Sequence, residues 1–434
     1  MKKRTSVVFI WVLGVLLVVP GLLFARGGQQ KTETSENSLD LRCWSFFSGS
    51  DAEFFNAMIA EYNRIHPGIR IILEPMSYTG YDSTLASAIA DGTAPDVAVI
   101  QHYSLPRYRH TGSLRAMDDM LEPLNAPLDD FMPIPLETCR FDGKLFALPL
   151  DIHPLALYYN TDLFDQAAII KLPETYAELI QTALAVKNRT AAIGLTVDNT
   201  ISSYKALTLT RLFISLLKQQ DADLLTPDNA HAGFNNIAGE KALSAIIDLI
   251  EVSKVVPPGL DYDASVNAFR LGKAGMHIND VGVTGIFEKQ KGLNFAVIPL
   301  PPLLGRNATW TGSHTLAIPV QQTPDPRKTE AVLRFILWMT EHGNLWAKAG
   351  YIPVRESVSR QSESLSLPYR AAYLDAAAST LMSSRIPAWD EIFSAVSDSL
   401  ENSLTVNKSV KTILIDMERK VNEIITVNKL KGGP

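Results

Sequence analysis

The sequence predicts an α/β fold: at least two sheets, each flanked by helices, in two compact lobes. Three observations carry this. Residues 97–100 (Val-Ala-Val-Ile) form an apolar run with no polar face, the pattern of a strand buried on both sides in a helix-covered sheet. Strand and helix periods alternate from residue 41 to that run, the opening of a doubly wound sheet, and resume after residue 155. About 400 residues remain once an N-terminal apolar segment is set aside, more than one core ordinarily holds.

Residues 41–44 are the first strand. Ser50 and Glu53 have capping-box spacing, and Phe55, Met58, Ile59, Tyr62 and Ile65 follow at the helical period until Pro67-Gly68 stops it. Residues 69–73 are a second strand, and Leu85, Ala88 and Ile89 mark a helix ended by Gly92. Further strands are expected at 155–159, 195–197, 276–278 and 295–299. Helices are expected at 173–187, 204–217, 240–252, 326–342 and 410–426, their apolar residues at helical spacing. Two extended, apolar, Pro-bearing stretches, 146–150 and 295–300, have the character of stiff connections between lobes.

Lys2, Lys3 and Arg4 precede an apolar run at 7–19, closed by Pro20, Gly21 and Ala25. The run is shorter than the roughly 20 residues that cross a bilayer as a helix. This is the profile of a secretory signal over 1–25, with an uncleaved membrane anchor as the alternative. Residues 26–40 read as a flexible polar leader. The expected location is periplasmic or secreted.

The net charge of −6 is spread over interspersed acids and bases with no basic stripe, which excludes nucleic acid as a partner. Cys43 and Cys139 are either one disulfide or two buried thiols. The chain has no G-x-S-x-G elbow, no H-E-x-x-H, no EF-hand loop and no G-x-G-x-x-G after a strand. Asp118-Asp119 comes nearest to the paired carboxylates of a glycosidase. No catalytic residue, metal or cofactor is expected.

Seven segments, in register along nearly the whole chain after the leader, resemble extracellular solute-binding proteins of ABC importers, the group that includes maltose- and oligosaccharide-binding proteins. They are Trp44 with the turn at 46–49; 54–71 with Tyr62, Pro67 and Ile69; Ala94-Pro95-Asp96-Val97; and Asp142-Gly143-Lys144-Leu145-Phe146-Ala147-Leu148-Pro149 followed by Leu157-Tyr158-Tyr159-Asn160. The others are 172–179 (LPETYAEL), 269–276 (FRLGKAGM) and 350–355 (GYIPVR). The chain departs from the family at Asn279-Asp280-Val281-Gly282, where a Gly-Pro-Trp turn is common, so a stacking tryptophan is missing.

The resemblance implies a two-lobe binding-protein fold, each lobe a mostly parallel sheet flanked by helices, with a ligand cleft between the lobes. It implies lobes at 40–150 plus 300–348 and at 151–299 plus 349–434. It further implies a monomer that captures a small-molecule carbohydrate by hinge closure and delivers it to permease subunits in the inner membrane. Receptors for glycerol phosphate or a polyol, and an exported glycan hydrolase, are the alternatives.

Sugars present an apolar C–H face and a rim of hydroxyls, which aromatics and polar groups recognise. Loops after the carboxyl ends of strands are where an open α/β sheet places a ligand. The candidates are Trp44, Ser45 and Phe47; Tyr78 and Tyr81; Gln101 and His102; His153 and Tyr204; Asn279 and Asp280; Trp310, Ser313 and His314; and Trp389. The plain alternative for each aromatic is the core, and for each histidine an ordinary hydrogen-bonded site.

Overall fold

The computed structural model describes residues 38–201, 207–378, 380–405 and 408–431. The export signal expected at 1–25, most of the leader expected at 26–40, and Tyr204 lie outside the described residues. Among the described residues, no helix is long and apolar enough to cross a membrane.

In chain order the strands are β1 (Leu39–Ser45), β2 (Ile69–Pro75), β3 (Val97–Gln101), β4 (Arg140–Phe141), β5 (Lys144–Leu145), β6 (Ala147–Pro149) and β7 (Asp151–Asn160). They continue as β8 (Ile193–Thr196), β9 (Ala274–Asp280), β10 (Phe295–Pro299), β11 (Thr309–Gly312), β12 (His314–Ala317), β13 (Ile352–Pro353) and β14 (Thr380–Leu381). The first sheet has the order β2-β1-β3-β12-β6; the second has β14-β11-β7-β9-β8, with β10 and β13 also on β7. One strand in each sheet runs against its neighbours. In the first it is β12, antiparallel to β3 and β6; in the second it is β7, antiparallel to β9, β10, β11 and β13.

Those two reversed strands are where the chain changes sheets. It leaves the first sheet at Leu150, between β6 and β7, and returns at Ser313, between β11 and β12. The crossings lie side by side, with His153 opposite Gly312 and Pro149 opposite Thr315. Four residue steps on one strand therefore face three on the other, a β-bulge at the junction, where Leu150 N–H donates to the His314 carbonyl at 2.8 Å.

The segment 146–150 thus crosses as expected, and 295–300 does not. Phe295 to Pro299 pair residue by residue with Asn160 to Ala156 of β7, so that stretch is a full member of the second sheet. The return crossing is Thr-Gly-Ser-His, polar in sequence but buried. By its hydrogen bonds β11 also belongs to the second sheet, although it falls within the 300–348 span expected in the first lobe.

Alternation along β7 covers the second sheet on both faces. Ala156 and Tyr158 join one buried cluster, which extends across the first sheet, while Leu155 and Leu157 join the other. All five residues of β3 are buried, as its apolar run requires. The helix α1 (Gly49–Ile65) buries Phe55, Met58, Ile59 and Tyr62. It begins two residues earlier than the capping-box spacing implies: Ser48 is the N-cap, and Ser50 Oγ is buried without a partner among the described residues. Cys43 and Cys139 are buried free thiols, the Cys139 thiol pushed up to about 12 by burial.

At the junction, a Cβ on Gly312 would run into the His153 ring, chiefly its Nε2. His153 is held by its neighbours and cannot swing aside. Gly312→Ala is expected to lower unfolding free energy by about 1–3 kcal/mol, the usual cost of overpacking, read from urea denaturation.

Candidate functional site

Between the two sheets lies a cleft of about 300 Å³. One wall comes from the first sheet: the turn from Phe46 to Asp51 that leads into α1, with Tyr78, Gln101 and His314. The other comes from the second: His153, Arg211, Tyr262, Asp263, Asp280 and the segment from Gly282 to Ile286, joined by Tyr351.

The floor is a hydrogen-bonded cluster at the junction. Asp151, fully buried, accepts from His153 Nδ1 at 3.0 Å, His314 Nδ1 at 2.7 Å, the His314 backbone N–H at 3.2 Å and Trp346 Nε1 at 2.7 Å. Burial opposes its ionisation, but the His314 ring and the imidazole hydrogen bonds outweigh that and hold the carboxyl well below its usual range. A carboxylate can only accept, so each imidazole carries a proton on Nδ1. His153 stays neutral because burial lowers its pKa more than Asp151 raises it. Asp151, His153 and His314 have the composition and closeness of a cation site, but their hydrogen bonds satisfy one another and the Trp346 indole N–H fills a further direction.

Aromatic rings make up much of the remaining wall. Phe46 meets Tyr78 edge-on at 5.4 Å, Phe47 meets His314 at 4.8 Å, and Tyr351 stacks on Trp346 at 4.8 Å and 7°. Arg211 comes from the helix Leu207–Lys218. Its guanidinium lies 4.2 Å over the Trp310 ring and its Nη1 donates to Asp280 Oδ2 at 2.6 Å. Asp280 also accepts the Gly282 N–H at 2.9 Å, so it is a structural anchor as well as a wall group.

Among the described residues, several buried polar atoms around this cleft lack a protein partner: Gln101 Oε1, Arg211 Nε and Ser50 Oγ in its walls, and His102 Nε2 just behind them. A buried polar atom left unpaired costs about 1–3 kcal/mol. Such atoms clustered on facing walls point to a polar occupant.

Of the sequence candidates, Phe47, Tyr78, Gln101, His153, Asp280 and His314 line the cleft. Others do not. Trp44 faces its register partner on β2, donating from Nε1 to Glu74 at 2.5 Å, and is absent from the cleft lining. Ser45 is enclosed, and Tyr81 packs under Phe46 with its hydroxyl donating to the Trp44 carbonyl. His102 accepts the Ser313 N–H on Nδ1, and burial drops its pKa to about 3. Asn279 sits behind Asp280 against His277, and Ser313 Oγ donates to the His314 carbonyl. Trp310 supports Arg211 from below, with Nε1 on Ser383, and Trp389 is buried in the second core. Asp118 lies outside the cleft, accepting from Leu145 N–H and Arg140.

Sequence reasoning missed Phe46, Ser50, Asp51, Arg211, Tyr262 and Tyr351. Arg211 carried a signal, a lone cation in the apolar helix Leu-Thr-Leu-Thr-Arg-Leu-Phe-Ile. Asp51, half-buried in the cleft wall, accepts from Tyr351 OH at 2.8 Å. Loss of solvent raises its pKa to about 7.

A family model described as bacterial extracellular solute-binding protein matches residues 57–383. The arabinooligosaccharide-binding protein of Bacillus subtilis is 24% identical over 383 residues, 83% of each chain. The fold is similar to that of a maltose-bound protein of T. maritima, with TM-score 0.78, 20% identity, and 89% of this chain and 99% of that one covered. It is similar too to UgpB of Mycobacterium tuberculosis in complex with glycerophosphocholine, with TM-score 0.78, 18% identity, and 90% and 99% covered. These solved structures share the two-lobe architecture.

The raised pKa of Asp51 has a sign that can be tested. The folded chain keeps this proton up to about pH 7, while the unfolded chain loses it near 3.9. The stability it contributes is therefore present at low pH and lost as pH rises through about 7. From pH 5 to pH 8, Asp51→Asn is expected to gain about 2 kcal/mol over the parent in urea-derived unfolding free energy.

Proposed function

The chain belongs to the bacterial extracellular solute-binding family, and from that membership we propose that it is the exported, substrate-capturing component of an ABC importer for a sugar or short oligosaccharide. The reading is of a monomer that works outside the cytoplasm, closes its lobes around the solute and presents it to permease subunits in the inner membrane. The observation that carries the choice of solute is the set of unpartnered buried polar atoms, Gln101 Oε1, Arg211 Nε and Ser50 Oγ, in a cleft walled by Phe46, Phe47, Tyr78, Tyr262 and Tyr351. Rings offer faces for stacking, and donors and acceptors on both walls suit a hydroxyl rim.

Closure follows from the division of those groups. Gln101 and Ser50 stand on one wall and Arg211 on the other, so only the closed form gives a bound solute both sets of contacts.

Charge argues for a neutral solute over glycerol phosphate. The N-terminus of α1 and Arg211 both face the cleft, which alone would suit an anion. Arg211 is already neutralised by Asp280 at 2.6 Å, and Asp51 stands in the first turn of α1. A hydrolase reading finds less support: Asp280 is engaged by Arg211 and Gly282, and Asp51 by Tyr351, so neither carboxyl is placed as a free nucleophile or base.

Calorimetry against mono- and oligosaccharides, polyols and glycerol phosphate is expected to give heat with a neutral sugar, and incubation with glycans to release no product. Gln101→Ala is expected to weaken that binding about tenfold, the worth of one lost hydrogen bond of ~1.4 kcal/mol, with little change in urea midpoint. Binding of glycerol phosphate alone, or steady glycan turnover, would overturn the reading.

A further inference from the structure

Contacts just outside the residues that line the cleft join the two lobes. Beyond the Tyr78 wall, Tyr78 OH and Tyr103 OH are 3.3 Å apart, and Tyr103, from the stretch just after β3, packs against the core of the second sheet. The next residues tie the two lobes together. Ser104 Oγ donates to both oxygens of Asp390 at 3.2 and 3.3 Å, and Arg107 Nη1 reaches the same carboxylate at 3.2 Å. Asp390 opens the helix Trp389–Ser403. Arg107 is itself held from the first lobe by Asp82 at 2.9 Å. At another rim, Lys289 of the second lobe pairs with Glu53 of α1 at 2.6 Å and lies 4.8 Å from the Phe54 ring.

The space left is about 300 Å³, the lower end of the roughly 300–1,000 Å³ that small-molecule pockets span. The tryptophans that would stack successive rings of a long chain are elsewhere: Trp44, Trp310 and Trp389 are all buried outside the cleft. We propose that the cleft takes a solute of one or two sugar rings, its length limited by Tyr103 and by the bridge from Ser104 and Arg107 to Asp390. The limit rests on the carbohydrate reading above and narrows it. A third ring would have to displace Tyr103 from the second core and break a partly buried ion pair.

The test is calorimetry on the full-length protein freed of its leader, using glucose, arabinose and N-acetylglucosamine oligomers of one to four units. The readout is the ratio of tetramer to monomer or dimer Kd within one series, which cancels any general change in closure. The unaltered protein is expected to bind the tetramer at least tenfold more weakly than the better of monomer and dimer. Tyr103→Ala with Asp390→Ala is expected to shrink that ratio at least threefold. Equal or tighter binding of the tetramer by the unaltered protein overturns the length limit and leaves the carbohydrate reading standing. A ratio unchanged in the folded double variant shows that these residues do not set the limit. No heat with any sugar of any length overturns the carbohydrate reading, and the limit falls with it.

Discussion

A single buried carboxylate constrains the rest of this molecule. Asp151 is fully enclosed at the point where the chain passes from one sheet to the other, and a charge there is tolerable only if it is surrounded by donors. Its donors come from both crossing strands and from the short helix that carries Trp346. Meeting that demand places a proton on Nδ1 of both His153 and His314 and fixes the orientation of each ring. It also accounts for the bulge opposite Gly312: the extra residue brings Asp151 between the two imidazoles, and glycine leaves room for the His153 ring. The floor of the cleft and the joint between the lobes are thus one cluster.

The second constraint is electrical. Arg211 is deeply buried, held between the Trp310 face and Asp280, so its charge is cancelled while one N–H remains unpaired. Asp51, made reluctant to ionise by its enclosure, carries only part of a negative charge at neutral pH. A cleft arranged this way has directional polarity without strong net charge, which suits hydroxyl-rich solutes better than ions.

The legible parts of the sequence are those in which one period dominates. The buried strand Val97–Gln101, the amphipathic face of α1 and the crossing at 146–150 all announce themselves through apolar spacing. The return crossing does not, because Thr311, Ser313, His314 and Thr315 are buried by satisfying hydrogen bonds, not by apolar character. The site was half legible for a related reason. Placing candidates just after strands found Gln101, Asp280 and His314, but alternation along a strand decides which neighbour faces the cleft. So Asn279 turns to His277 while Asp280 reaches the wall, and Trp310 lies beneath the cation that replaces it there. Asp51 and Tyr351, some 300 positions apart in sequence, form a pair that no local pattern announces.

The account turns on two rigid halves that move about the Asp151 joint when a solute fills the space between them. The most direct measurement is the distance distribution between spin labels at exposed Ala60 in α1 and exposed Glu240 in the helix Ile237–Ile247, one on each lobe, with and without a bound sugar. The prediction is a broad or longer distribution for the free protein that collapses to a single shorter distance on binding. An unchanged distribution with the sugar demonstrably bound would contradict it.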